Sequence, residues 1–226
     1  MNYVSQATVL DVIEHQVDLR EYIIKLDQQR KYSPGSFVQL TLDMAHASSI
    51  WPESRTFSIA SYQSDSMHFI IKNVGSYTSR IFSELNSGSR CTIKYPFGNL
   101  FDKKTIGEKH VMVAGGIGIT PFFGMIDYFE QNDCLERLEL IYSAKYKEDL
   151  LYWEKLQDQL KDHLHIHLTQ ESAANCIYRR IDINDILAVA GANDHVYICG
   201  SSEFNQTFKE QLNRKGFMNI HTDEWE

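Results

Sequence analysis

The sequence predicts two domains, an antiparallel β-barrel over residues 1–103 and an α/β domain with a parallel sheet over 104–226. Three observations carry that prediction. Short β-branched and aromatic runs separated by turn formers fill roughly the first hundred residues. From His110 onward, apolar strands alternate with helix-length stretches. A glycine-rich turn joins the first strand and first helix of that second half, the position at which an α/β domain holds a nucleotide.

In the first half the strand runs are 8–14, 19–26, 36–42, 55–60, 68–72 and 91–94, broken by turn formers such as Ser33-Pro34-Gly35 and Asn86-Ser87-Gly88. Branched and flat side chains dominate them because such side chains pack well on a pleated surface. One helical patch, 78–85, sets Ile81, Phe82 and Leu85 at helical spacing. Many short strands with a single helix make the pattern of a small closed barrel. The polar segment 102–109 is the linker. Strands over 110–114, 138–143, 165–169 and 195–199 then alternate with helices over 121–130, 150–160, 181–189 and 203–214. Such alternation supplies the crossovers a parallel sheet requires, with helices on both faces.

Composition narrows the function classes. With 43% hydrophobic and 23% charged residues, the 226-residue chain reads as soluble and globular, with enough sequence for one large or two modest domains. A net charge of -8 disfavours nonspecific binding to nucleic acid or anionic membrane. Cys91, Cys134, Cys176 and Cys199 stand too far apart for a zinc site, a redox dithiol or an iron–sulfur cluster, so they are expected as reduced thiols in or near a core. The start of the chain lacks a basic region followed by an apolar run, and no stretch approaches the ~20 apolar residues of a membrane span. A cytoplasmic protein with no transmembrane segment is the expectation. His163, His165 and His167 alternate along a strand and share a face, but no carboxylate or cysteine completes a metal set in sequence. A surface strand and no metal are expected there.

The segment VMVAGGIGITPF runs from a strand through Gly115-Gly116-Ile117-Gly118 into a helix, with Thr120 expected as the N-cap and Pro121 in the first turn. Glycines permit positive φ and close approach of a ligand, and a helix start favours an anion. The spacing matches neither GxGxxG nor a P-loop. On local pattern alone, a tight connection that binds nothing remains open. The same holds for Arg55-Thr56-Phe57-Ser58, which in isolation reads as an amphipathic strand with a solvated arginine, and for Cys199-Gly200, which reads as a buried cysteine ending a strand.

Taken together and in this order, RTFS, the glycine turn and Cys199-Gly200 resemble the ferredoxin–NADP reductase superfamily, which includes flavin reductases and the reductase domains of flavohaemoglobins and oxygenases. The resemblance spans essentially the whole chain. It implies that Arg55 contacts a flavin phosphate, that Thr56 and Phe57 line the flavin, and that Ser58 approaches its reactive edge. Phe57 replaces the usual tyrosine and so lacks one hydrogen bond to the flavin. The stretch 70–78 resembles a family strand, glycine turn and helix start, implying flavin contacts from Lys72, Val74, Gly75 and Thr78. Tyr95-Pro96-Phe97-Gly98 resembles a family motif whose first glycine is replaced here by Tyr95, and no ligand role is assigned to it.

In the second half the resemblance implies that Gly115, Gly116, Gly118, Thr120 and Pro121 hold the pyrophosphate of NAD(P)H, and that Cys199 and Gly200 lie beside the nicotinamide. Ser143 and Lys145 occupy the place where relatives hold the extra phosphate of NADPH, which leaves NADH or NADPH open. Asp223 and Trp225 match an acidic–spacer–aromatic ending that folds back to the flavin. Ser58, Cys199 and Asp223 are thus the expected catalytic set, with Cys199 as a packing group beside the hydride path rather than a nucleophile. The implied cofactors are FAD (or FMN) and NAD(P)H. The implied activity passes hydride from NAD(P)H to the flavin and then electrons to a separate acceptor, a ferredoxin-like or other redox protein or a small molecule. Two other readings stand beside it: a reductase that treats flavin as a diffusing substrate, and an electron-relay subunit of a larger complex. The insertion 43–54 could line the exit to the acceptor, with Trp51 packed as a loop anchor.

Overall fold

The computed structural model describes residues 2–47, 50–62 and 65–223. The chain divides into two compact units, one comprising the residues up to Phe101 with Thr120–Asp127, the other Asp102–Ile119 with Tyr128 onward.

The first unit holds strands β1 (Tyr3–Gln16), β2 (Leu19–Leu26), β3 (Phe37–Thr41), β4 (Arg55–Ser58), β5 (Met67–Lys72) and β6 (Arg90–Phe97), with helix α1 (Ser76–Glu84). The strands form one sheet in the order β4-β3-β6-β1-β2-β5, and every pairing is antiparallel. The two outer strands approach one another: the Ala60 amide donates to the His68 carbonyl at 2.8 Å, so the sheet is nearly closed into a barrel. β1 runs far longer than the sequence pattern suggests, and its register shifts at Val9/Asp11 and Glu14/Gln16 let it bend around the barrel. Side chains at Ala7, Val9, Ile24, Val38, Leu40, Phe69 and Ile93 fill the interior. Helix α1 begins two residues ahead of the sequence expectation, at Ser76, because the Thr78 hydroxyl folds back and fixes the preceding turn.

A carboxylate lies inside this wall. Glu21 on β2 is 1% exposed, and it bridges His15 Nε2 on β1 at 3.0 Å and His68 Nδ1 on β5 at 2.7 Å. Three neighbouring strands are thereby tied through one buried charge, which is tolerable only because both oxygens are met.

The second unit contains a fully parallel sheet in the order β10-β9-β8-β7-β11-β12. Its strands are β7 (His110–Gly115), β8 (Leu138–Ala144), β9 (Leu164–Leu168), β10 (Ile177–Tyr178), β11 (His195–Cys199) and β12 (Asn219–Thr222). The helices are α2 (Thr120–Gln131), whose Thr120–Asp127 stretch counts with the first unit, and α3 (Trp153–Leu160), α4 (Ile183–Val189) and α5 (Ser202–Arg214). Val111, Val113, Ile141, Val196 and Ile198 from the central strands pack with Ile186, Phe208 and Leu212 from α4 and α5 into one apolar cluster. From β7 the chain steps outward through β8 to β9, whereas β11 leads to β12 on the other side. Right-handed crossovers make those two directions place their helices on opposite faces, and the strand order reverses between β7 and β11. The carboxyl ends of those two strands are therefore where a crevice opens.

Several expectations shift. Helix α3 starts at Trp153 rather than at 150, because a 3-10 turn over Lys147–Asp149 and a left-handed Tyr152 (φ 53°) precede it. Helix α4 starts two residues late because Asp182 caps it, accepting from the Asn184 amide at 2.7 Å. Strand β12, short and half-polar, was not expected. The histidine strand is only partly at the surface. His163 and His165 reach the two oxygens of Glu139 at 3.2 and 3.0 Å, but His167 is fully buried, 3.7 Å from Asp185 of α4. Among the described residues no group of three or more His, Cys, Asp or Glu is arranged to hold a metal ion, and no helix is long and apolar enough to cross a membrane.

Glu21→Ala is expected to destabilise the protein by about 3 kcal/mol, the lower end for breaking a buried ionic cluster, since both histidines retain some solvent. Urea denaturation followed by circular dichroism measures it, and a loss under about 1 kcal/mol would show that the cluster ties nothing.

Candidate functional site

In the first unit, β4 pairs with β3 so that Phe57 faces Val38 and Ser58 faces Phe37 across the ladder. None of Arg55, Thr56, Phe57 and Ser58 is buried, an open surface on a strand of a barrel. A half-exposed aromatic ring on such a strand offers its flat face to a ligand.

Arg55 is positioned by a residue for which the sequence motifs give no role. Its guanidinium lies 4.7 Å above the ring of Tyr77, in the first turn of α1, and Arg80 lies 5.7 Å from the same ring. The Tyr77 hydroxyl accepts from the Leu42 amide at 3.2 Å and lies 3.0 Å from the Glu53 carbonyl, which locks the ring. Two guanidinium groups thus gather at a helix start, a combination suited to phosphate. Arg55 is at present paired with Glu53 at 3.1 Å, and Arg80 with Glu84 at 3.0 Å. Nothing in sequence distinguishes Arg80 from a solvated helix arginine.

The rest of the expected flavin set is used differently. Thr78 stands at the third helical position, not at the cap, and is buried. Its hydroxyl oxygen accepts from both the Val74 and Gly75 amides at 3.0 Å. The oxygen expected to meet a phosphate is therefore committed to the turn, leaving the first helical amides for that task. Lys72 points to Asp18 at 3.4 Å, and Val74 is largely exposed. Tyr95 is fully buried, and its hydroxyl accepts from the Arg30 amide at 2.7 Å, a structural task consistent with its lack of a ligand role. Trp51 donates to Ser54 Oγ at 2.9 Å within its own loop and carries Lys94 over its ring.

In the second unit the glycine turn is a 3-10 turn over Gly116–Ile119 that winds directly into α2. Ile119, not Thr120, is the cap residue, because the chain is already helical before Thr120 and no side-chain cap is made; Pro121 sits within the first turn as expected. Gly116 takes φ +56°, and a Cβ there would meet nothing within 4 Å. Gly118 is the reverse: its Cβ would lie 2.1 Å from the Cys199 carbonyl oxygen and 2.8 Å from the Gly200 nitrogen. The turn is filled on its inner side by the end of β11 and open on its outer side, as a nucleotide cradle must be. Gly200 is constrained by a side chain instead, since a Cβ would come within 2.6 Å of the Phe204 ring, which also underlies Gly115 at 3.4 Å. Phe204 is thus the common floor of both glycine segments. Ser201 caps α5 by accepting from the Phe204 amide at 3.3 Å.

A cavity of about 510 Å³ opens over this floor, lined by Gly116, Ser143, Lys145, Arg180, Ser201 and Thr207 among others. That size suits a small organic ligand. Cys199 is buried and free of any disulfide. Burial, reinforced by nearby Asp223, pushes its thiol well above the ordinary range, which disfavours the thiolate. Asp223 is itself buried, its Oδ2 has no hydrogen-bond partner among the described residues, and burial pushes its carboxyl up to about 7. Its carbonyl accepts from Asn205 Nδ2 at 3.2 Å. Trp225 lies outside the described residues.

Residues 112–210 match the oxidoreductase NAD-binding domain family. A ferredoxin NADP+ reductase from Neisseria gonorrhoeae with bound FAD and NADP superposes over 97% of this chain and 98% of that one, with TM-score 0.80 at 17% identity. The flavohaemoglobin-like FAD/NAD-binding domain of a Vibrio cholerae nitric oxide dioxygenase superposes over 98% of each chain, with TM-score 0.82 at 14% identity. The chain thus carries an oxidoreductase NAD-binding domain over residues 112–210 and shares the fold of ferredoxin–NADP reductase and of the flavohaemoglobin-like reductase domain. A probable dihydroorotate dehydrogenase B (NAD(+)) electron transfer subunit from Pyrococcus abyssi is 34% identical over 126 residues, 56% of this chain and 44% of that protein. The heme-dependent oxidative N-demethylase beta subunit of Ectopseudomonas mendocina is 29% identical over 82% of this chain and 56% of that protein. The chain thus spans about half the length of these curated relatives.

Two outcomes follow from this geometry. Gly118→Ala places a methyl group inside the Cys199 carbonyl, so it should lower Tm by several degrees and abolish nucleotide-induced stabilisation; a wild-type melting curve would refute the close approach. Asp223 has its folded pKa raised from 3.8 to about 7. Its contribution to stability is therefore fully present below about pH 4 and lost as pH rises to about 7. Against Asp223→Asn, wild-type stability should fall across that window by up to about 4 kcal/mol, measured by denaturant titration at a series of pH values.

Proposed function

We propose that this chain is a flavin-dependent NAD(P)H oxidoreductase that takes electrons from a nicotinamide coenzyme and delivers them to a separate acceptor. The observation that carries the proposal is the seating of Gly118 on the Cys199-Gly200 backbone beside an open cavity at the strand-order reversal. A ligand in that cavity meets the glycine turn that leaves β7, at Gly115 and Gly116, and the start of α5 beyond β11, at Ser201 and Phe204.

In this reading residues 104–226 hold NAD(P)H and residues 1–103 hold FAD, which when bound supplies the capacity to accept hydride and release electrons singly or in pairs. The chain's own residues bind and orient. Gly115, Gly116 and the start of α2, with Thr120 and Pro121, receive the coenzyme pyrophosphate. Cys199 and Gly200 form a small, neutral wall for the nicotinamide. Arg55, supported by Tyr77, grips the flavin phosphate, Phe57 lies against the flavin ring, and Ser58 offers a hydroxyl to its reacting edge. Asp223, buried and half-protonated near neutrality, holds a proton beside Cys199.

The relatives support a separate protein acceptor, since those named are an electron transfer subunit and a demethylase beta subunit. The Acinetobacter baylyi relative, 24% identical over 73% of this chain, is a vanillate O-demethylase oxidoreductase. An electron-relay subunit of a larger complex fits the same names. A second reading, in which flavin is a diffusing substrate, is favoured by how little remains to hold it: Phe57 lacks a hydroxyl, the Thr78 oxygen serves its own turn, and Lys72 is paired with Asp18.

The purified protein should show a flavin absorbance spectrum, or gain one on adding FAD, and should bleach under anaerobic NADH or NADPH. A protein that binds no flavin and oxidises neither coenzyme overturns the proposal, and loss of flavin on gel filtration selects the second reading. Arg55→Ala should weaken flavin binding about 10- to 150-fold, the equivalent of a charge-assisted contact of about 1.5–3 kcal/mol. Fluorescence titration measures it, and unchanged affinity would remove Arg55 from the site.

A further inference from the structure

Strand β12 is an edge of the second sheet, and its ladder runs to β11 alone. An edge strand of four residues has little backbone to hold it, so its side chains decide how firmly it is seated. Two titratable groups two positions apart carry that task. His221 stacks on the ring of Tyr197 at 4.5 Å, and Asp223 lies beside Cys199. Tyr197 and Cys199 alternate with Ile198 and so share one face of β11.

The acceptors around the histidines fix their protons. His195 Nε2 faces the Glu108 carboxylate at 2.9 Å and must donate, so its Nδ1 accepts from His221 Nε2 at 3.1 Å. His110 Nε2 faces the Thr105 carbonyl at 2.7 Å, and the His110 ring stacks on His195 at 5.0 Å. Burial, with His195 alongside, holds the His221 imidazole below its ordinary pKa, so it sits neutral in the stack. Asp223 is the reverse case. Its Oδ2 is buried with no hydrogen-bond partner among the described residues, and burial keeps the carboxyl protonated below about pH 7. The other charges nearby are engaged or silent. Lys209 of α5 reaches Thr222 Oγ1 at 3.4 Å, and Lys109 pairs with Glu139 at 3.5 Å. Burial above all, with Asp102 and Glu108 nearby, keeps the Tyr197 phenol neutral. Glu108 and His195 belong to the segment before β7 and to β11, so that pair remains when β12 lifts. Once in water, His221 ionises below about pH 6.5 and Asp223 above about pH 4. Lifting β12 therefore takes up one proton at the imidazole and releases one from the carboxyl.

We propose that β12 is a pH-compensated strap: His221 and Asp223 are seated uncharged against β11, and lifting the strand ionises both with no net exchange of protons with solvent. The strap holds Asp223 beside Cys199 evenly in mild acid, where either group alone would make its seating drift. The inference concerns the strand and stands whether or not a coenzyme binds. Hydrogen–deuterium exchange of the full chain, corrected for the intrinsic pH dependence of amide exchange, reads β12 opening at about pH 5 and about pH 6.5. Wild-type protection of β12 should differ less than about threefold between the two. Asp223→Asn leaves only the imidazole, so protection should fall about tenfold from the higher pH to the lower. His221→Phe keeps a ring for Tyr197 and leaves only the carboxyl, so protection should fall about tenfold in the opposite direction. Each slope is taken within one protein, so a uniform loss of stability does not enter. A tenfold slope in wild type, slopes of one sign in both variants, or a flat response in either variant overturns the proposal. Should His221→Phe not fold, wild type against Asp223→Asn decides alone, and equal slopes overturn it.

Discussion

Gly118 and the carbonyl of Cys199 occupy a space that no side chain can enter, and the arrangement of the second unit follows from that contact. With a Cβ 2.1 Å from a carbonyl oxygen excluded, the 3-10 turn leaving β7 lies directly on the end of β11. The same contact keeps the outer side of the turn, at Gly116, clear. Phe204 completes it from below, touching both glycine segments, and α5 is capped at Ser201 so that Phe204 arrives one turn later. A backbone-on-backbone contact has no rotamers to adjust, so the floor it builds is rigid.

The barrel unit solves a different problem, which is to keep a charged side chain extended without burying it. Arg55 is held by a ring rather than by a full set of hydrogen bonds. Tyr77 is anchored through its hydroxyl to the segment before β4 and presents its face to the guanidinium. The cation–π contact costs little when an anion arrives, because the fork of N–H groups stays available at the edge. Glu53 is the acid that faces that edge in this structure.

Much of this was legible in the chain because the informative features are local. The strand–helix alternation after His110, the turn at 115–118 and the RTFS strand each lie within a dozen residues, where periodicity and turn chemistry speak directly. What escaped was set by distance in sequence. The pairing of Glu139 with two histidines more than twenty positions away, the Arg55–Tyr77 stack and the role of Phe204 exist only after folding. Strand β12 escaped because four half-polar residues carry no pattern of their own, and β11 alone gives them a place. The helix starts at Ser76 and Ile183 moved for the opposite reason: caps act through single hydrogen bonds that outweigh the apolar spacing around them.

The division between a side-chain-free floor and a side-chain-rich rim has a consequence for how such a site drifts over generations. A side chain at Gly118 would run into backbone, and one at Gly200 into the Phe204 ring, so a change at either position must displace the floor itself. The rim positions Lys145, Arg180 and Thr207 are supported by loops and a helix surface that tolerate exchange. Ligand preference can therefore wander among descendants of this chain while the peptide geometry beneath it stays frozen.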